Sequence, residues 1–229
     1  MKFRGTIIAE ASGSIGGITF SHNAGGSYVR RRATPTNPDT PAQRGVRDAM
    51  ALLMANWVNV LTDAQREGWK TYAKNVPMKD SLGNSINVGA VAMYTRGNVP
   101  RLNAGKTGVA NAPTTFNLGS FTPPVLAAPD SSAGTVSMAF TAADEWAHEV
   151  GAHMLVYAST GQNPSINFFK GPYQLCGIVS GAATPPTSPA TITLPFAVAP
   201  GQKVFFQVNV SRADGRLSND FRDVKVAGA

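Results

Sequence analysis

The chain has 229 residues, 43% of them hydrophobic and 14% charged, with one cysteine and a formal net charge of +7. The hydrophobic fraction excludes global disorder, the lone Cys176 excludes an internal disulfide and any multi-cysteine zinc site, and no run approaches the roughly 20 apolar residues of a membrane span. Charged residues fall well below the roughly 25% of an average soluble protein, which suits a surface covered by neighbouring subunits.

The charge is unevenly placed. Residues 1–110 hold 14 Lys and Arg against 6 Asp and Glu, whereas residues 111–229 hold 6 against 7. The basic excess belongs to the N-terminal half, and the chain reads as two modules. The opening run Met1–Glu10 is too short and too interrupted for a secretory leader. The expectation is a chain made in the cytoplasm that leaves it only inside a particle.

Residues 5–32 read as β-structure broken by glycine. Ile18-Thr19-Phe20-Ser21 and Ser27-Tyr28-Val29-Arg30 flank His22-Asn23-Ala24-Gly25-Gly26, a hairpin signal. Two strands alone are unstable in water, so this hairpin needs more sheet from this chain or another. Arg30-Arg31-Arg32 then leads into prolines at 35, 38 and 41, the three-residue period of an extended polyproline segment. Residues 1–40 are thus read as a hairpin and anchoring arm.

Residues 41–105 form a helical module. Thr40-Pro41-Ala42-Gln43 is a capping box with Pro at the first helical position. Val46, Met50, Leu53 and Trp57 follow on one predicted face. Thr62-Asp63-Ala64-Gln65 repeats the box, with Asp63 at the positive end of the helix dipole. Trp69, Tyr72, Ala73 and Val76 make that helix's face, and Pro77 ends it. A third helical stretch runs over about 88–98, stopping before Pro100. Residues 106–120, within a Gly-, Ala-, Asn- and Thr-rich stretch, read as a linker.

Seven strand-like runs follow, at about 124–126, 135–140, 152–157, 173–179, 190–196, 203–210 and 221–226. Val204, Phe206, Val208 and Val210 alternate as an inward face, and Asp214-Gly215 supplies a turn before the last strand. The expected fold is therefore an α+β N-terminal module followed by an all-β, immunoglobulin-like sandwich over 121–229.

Two resemblances add to this. The run Gly201–Ser218, with its alternating strand and Asp-Gly turn, resembles the last hairpin of fibronectin type III and immunoglobulin-like domains. The strand Trp and paired cysteines of antibody domains are absent. Residues 12–105 resemble uncharacterised structural proteins of tailed phages and prophages. The residues that carry this are Gly13–Gly17, Ser27–Arg30, Asn37–Pro41, Leu61–Trp69 and Asn98–Leu102. The resemblance implies a virion component of the head, neck or tail.

Catalytic patterns fail on their residues. Gly105-Lys106-Thr107 ends like a phosphate-binding loop, but the required glycine falls at Pro100. Ser14 has Gly16 after it but Ser12 before it, which breaks the nucleophile elbow. Asp144, Glu145, His148, Glu149 and His153 could gather at a metal, yet a five-residue separation puts the two histidines on different faces of a helix or strand. With three histidines in the chain, no enzymatic activity, cofactor or metal is expected.

The expectation is a bacteriophage virion structural protein, either capsid cement or decoration or a neck or tail accessory. Phe20, Tyr28, Arg30, Arg31, Arg32, Pro35 and Pro38 would bind the partner, and Asp214 and Gly215 would form an exposed turn of the sandwich. The expected partners are major capsid, neck or tail proteins and further copies of the chain, with no membrane. Two alternatives stand beside it. One is a basic capsid-lining protein whose arginines and aromatic rings contact packaged DNA. The other is a bacterial surface or adhesion protein that binds glycans through its sandwich.

Overall fold

The computed structural model describes residues 11–23, 26–79 and 85–228. The run read for a leader, residues 1–10, and Ala24-Gly25 of the hairpin loop lie outside the described residues. The chain divides into two units, Met1–Pro41 and Ala42–Ala229.

In the first unit, β1 (Gly13–Ile15), β2 (Ile18–Asn23) and β3 (Gly26–Arg31) form an antiparallel meander. The expected hairpin thus gains its third strand locally. Gly16-Gly17 makes the β1–β2 turn, and Gly16 adopts a φ of 54°, open to a residue without Cβ. Residues 32–40 carry no regular structure and are exposed throughout.

The second unit begins with α1 (Pro41–Asn59) and α2 (Asp63–Asn75). The second capping box is fully formed. Gln65 N donates to Thr62 Oγ1 at 3.3 Å, and Thr62 N donates to Gln65 Oε1 at 2.9 Å. Asp63 also takes a bond from Arg66 at 2.7 Å. The face expected of α1 is only partly the one used: Ala49 and Leu53 are buried, whereas Val46 and Met50 are exposed. The reason is that only the C-terminal half of α1 meets the rest of the unit, and residues 41–48 are solvent-exposed.

A short hairpin, β4 (Met78–Lys79) and β5 (Ser85–Ile86), precedes α3 (Ala90–Asn103). This third helix runs through Pro100 rather than stopping before it. Arg101, one residue on, is 4% exposed and tied at its head to three backbone carbonyls, so tertiary bonds hold the last turn in place.

All seven strand-like runs form strands. They are β6 (Val125–Leu126), β7 (Thr135–Ala139), β8 (His153–Ala158), β9 (Gln174–Ser180), β10 (Ala190–Thr193), β11 (Lys203–Ser211) and β12 (Phe221–Val226). They make two antiparallel sheets of order β10-β7-β6 and β12-β11-β8-β9. Side chains from both sheets share one core, in which Val136 and Met138 meet Met154, Val156, Val204, Phe206, Val208 and Val210. The alternation read for β11 is thus the buried face.

The other face of β8 and β11 is also covered. Leu155, Asn209 and Ser211 project from it and are buried, and α3 packs against β11, with Arg101 bonded to Ser211 Oγ. The expected division into a helical module, a linker and a separate sandwich does not describe the unit. Its helices and sheets are one body.

The stretch read as a linker stitches them together. Asn98 Nδ2 donates to Val109 O and Asn98 Oδ1 accepts from Val109 N. Trp69 Nε1 donates to Ala110 O at 2.9 Å, and the Tyr72 hydroxyl donates to Asn117 O at 2.7 Å. Arg216 reaches Asn117 Oδ1 from the sheet side at 2.6 Å. An irregular segment whose backbone is satisfied by such side chains is structure, not spacer.

Candidate functional site

In the N-terminal sheet, register decides which residues can act together. Phe20 lies opposite Val29, Ile18 opposite Arg31, and Ile15 opposite Ile18. Tyr28 lies opposite Ser21, and Arg30 opposite Thr19. Directly opposed residues share a face and successive residues alternate. One face therefore carries Ile15, Ile18, Phe20, Val29 and Arg31. The other carries Ser14, Thr19, Ser21, Tyr28 and Arg30, and the Ser14–Thr19 hydroxyl bond of 2.8 Å lies across it. Phe20 and Tyr28, both expected to bind the partner, sit on opposite faces.

This unit buries little. None of its described residues is buried, and Ile15 and Ile18 are 79% and 46% exposed. Arg30, Arg31, Arg32, Pro35 and Pro38 are all exposed. The sheet thus offers an apolar face edged by Arg31 and a hydroxyl-rich face edged by Arg30, and Arg32 opens the exposed stretch that follows.

Asp214 and Gly215 form the expected turn but not an exposed one. Gly215 is buried and Asp214 half-buried. The turn is covered by α3 and the Trp69 ring. A Cβ on Gly97 would lie 2.3 Å from Gly215 O, and one on Gly215 would lie 3.3 Å from Trp69. These two glycines allow helix and turn to approach backbone to backbone.

Three arginines brace this joint, and sequence reasoning did not single them out. Arg101 donates to Thr107 O, Gly151 O, Ser211 Oγ and Arg212 O at 3.0–3.1 Å. Burial lowers its pKa, with Glu149 and Asp214 opposing the shift. Arg212 is held by Glu149 and Glu145. Burial works against its charge, but those bonds outweigh it and raise its pKa. Arg96 donates to Leu217 O at 2.5 Å and Ser218 O at 2.9 Å. The available signal was the five-residue step from Arg96 to Arg101 on a helix otherwise rich in small and apolar residues.

The acidic group considered for a metal is spent on this scaffold. Asp144 accepts from Thr122, and Glu149 from Arg212 and the Ala213 N–H. His153 is buried, with Nδ1 3.0 Å from Ser180 Oγ, and burial followed by Arg101 and Lys106 lowers its pKa to about 4. Among the described residues, no three His, Cys, Asp or Glu are placed to hold a metal ion. Cys176 is half-buried, and burial raises its thiol pKa to about 11, far from a reactive thiolate.

A concavity of the second unit lies on the outer face of β8 and β11, beside α3. It has a volume of 720 Å³, with Tyr157, Gln207 and Asn209 on its floor and Thr95, Arg96 and Val99 on its helix wall. No protein-family model and no curated protein matches the chain.

Proposed function

We propose that this chain is a structural protein of a bacteriophage particle, a capsid cement or decoration or a neck or tail accessory, attached through its N-terminal unit. The observation that carries this reading is the contrast between the two units. The second has an extensive core of its own. The first is a small sheet with no buried residue among those described, running into an exposed stretch without regular structure. Such a unit gains its burial by docking on another chain, by strand addition or by packing its Ile15–Ile18 face. The sequence resemblance to phage structural proteins points the same way, and further copies of the chain or capsid, neck and tail proteins are the partners.

We read the seven-stranded part as immunoglobulin-like. Lettered A to G in chain order, its sheets run E-B-A and G-F-C-D. The A-B-E and C-F-G pairings are those of the immunoglobulin fold, with the fourth strand joined to C instead of E. Because α3 covers the Asp214-Gly215 turn, the surface presented outward is formed elsewhere on the sheets.

The test is an inventory of purified particles by mass spectrometry, with the chain's copy number referred to the major capsid protein. A fixed stoichiometry in full-length chain, lost when residues 1–40 are deleted, is expected. Absence from particles, or normal incorporation of the deletion, refutes the reading. Replacing Arg30, Arg31 and Arg32 with Gln separates packing from DNA contact. Packing predicts near-normal incorporation. A DNA role predicts a sharp loss of binding and of its salt dependence.

A further inference from the structure

We propose that the cleft between α3 and the outer face of β8 and β11 is a binding site for a neutral saccharide unit. The inference is independent of the virion reading, since a chain absent from particles would still carry this cleft.

The first observation is an unmet hydrogen bond. Asn209 is 4% exposed, and its Nδ2 donates to Asp220 Oδ1 at 3.0 Å. Its Oδ1 is the one buried side-chain polar atom without a partner among the described residues. An unsatisfied buried acceptor is destabilising, so folds rarely keep one without a use. Asn209 is also one of the residues that line the cleft.

The second is the set of groups above it. Tyr157 and Gln207 face each other across the β8–β11 ladder and both line the cleft. Neither side chain spends its polar end on another described residue. The Tyr157 pKa is raised to about 12, by burial and then by Asp220, so its hydroxyl stays protonated as donor and acceptor. Gln207 offers an amide with both roles. Tyr157 and Tyr173 add ring surface, and Val99, Pro100 and Met50 add apolar surface.

The third is charge. Arg96 is already committed to two backbone carbonyls, and the Asp220 carboxylate acts on it from the same cleft. One cation balanced by one anion gives no field for a phosphate or carboxylate ligand. Fixed donors and acceptors of both kinds, set beside tyrosine rings, match a ring that has hydroxyls at its rim and C–H bonds on its faces. A volume of 720 Å³ holds one or two such rings.

Saturation-transfer NMR on the full chain tests this, with glucose, galactose, N-acetylglucosamine and rhamnose as separate probes. Transfer to at least one is expected, with a Kd near the millimolar range. Gln207→Ala and Tyr157→Phe should each weaken it by up to about tenfold, the worth of one hydrogen bond. Val99→Trp, which fills the cleft, should abolish it. Unchanged urea midpoints would show that the variants remain folded. A variant that fails this check is replaced by competition, in which the bound sugar should perturb Tyr157 ring signals of the unmodified chain. Transfer to none of the four, transfer unaffected by the variants, or transfer to triglycine but to no sugar overturns the proposal.

Discussion

Replacing Gly97 with alanine tests whether helices and sheets form one body. In an ordinary exposed helix position the change stabilises by roughly 1 kcal/mol, because glycine has the greater conformational freedom to lose. Here the added Cβ meets Gly215 O at 2.3 Å, whereas real Cβ contacts essentially never fall below 3.0 Å. Neither side yields cheaply. The turn is closed by Gly215 N donating to Arg212 O and is backed by Trp69, and α3 is pinned by Arg96 and Arg101. Overpacking of this kind costs about 1–3 kcal/mol or more, so the net expectation is a loss of about 1–2 kcal/mol. Gly45→Ala is the control, since a Cβ there meets nothing within 4 Å. Urea unfolding followed by tryptophan fluorescence and far-UV circular dichroism should place the Gly97→Ala midpoint about 0.5 M below the parent. The Gly45→Ala midpoint should equal or exceed it. A Gly97→Ala midpoint equal to the parent's would show that the turn is free of the helix, and the one-body description would fall.

Limited trypsin digestion should cut first after Arg30, Arg31 or Arg32, which are exposed, and leave a fragment beginning near residue 33; early cleavage at Lys106 instead would mean that the 104–120 stretch is loose. The His153 pKa of about 4 lies below the ordinary 6.5, so as pH falls the unfolded chain takes up the proton first. The resulting stability is complete above about pH 6.5 and is lost towards pH 4, by up to about 3 kcal/mol; His153→Gln should flatten that slope, and parallel pH curves for variant and parent would contradict the assignment. Arg101→Met should destabilise by about 3 kcal/mol, because three carbonyls and a hydroxyl lose their donor in a buried place; a midpoint within experimental error of the parent would mean water replaces the guanidinium.

What was legible in the sequence followed from local rules. Thr62 and Gln65 announced the start of α2 because a capping box is a short-range geometry, and the alternation in β11 announced its buried face because strands have a period of two. What was not legible depended on contacts distant in the chain. Nothing local marks Gly97 and Gly215, 118 positions apart, as a pair of touching backbones. Nothing local tells a linker from residues 106–120, since the groups that hold that stretch sit on Asn98, Trp69, Tyr72 and Arg216. The outer face of β8 and β11 showed a mild warning. Leu155 is an odd choice for a strand face turned to water, and it is fully buried. The cleft was invisible for the same reason, because its walls come from three separate parts of the chain.

Charge counted in a sequence is not charge on a surface. Of the basic residues that make the first half so positive, Arg66 is bonded to Asp63 and two carbonyls, and Lys70 is bonded to Glu67. Arg96 and Arg101 are spent inside the joint between helix and sheet. Among the remaining basic residues, Arg30, Arg31 and Arg32 form the one consecutive run, and all three are exposed. The strand alternation separates even these. Arg30 faces with Tyr28 and Thr19, and Arg31 with Ile18 and Phe20. A duplex laid against either face meets one of that pair, and its bases meet Tyr28 or Phe20 but not both. Each phosphate contact contributes a slope of about −0.9 in the salt dependence of binding, so the hairpin offers DNA less than its triple arginine promises. A protein groove has two walls. It can bury Ile15 and Ile18 against one and hydrogen-bond Ser14, Thr19 and Tyr28 with the other, while each wall supplies an acceptor for its own arginine. That is the physical ground for proposing that the N-terminal unit seats on another protein rather than on a nucleic acid.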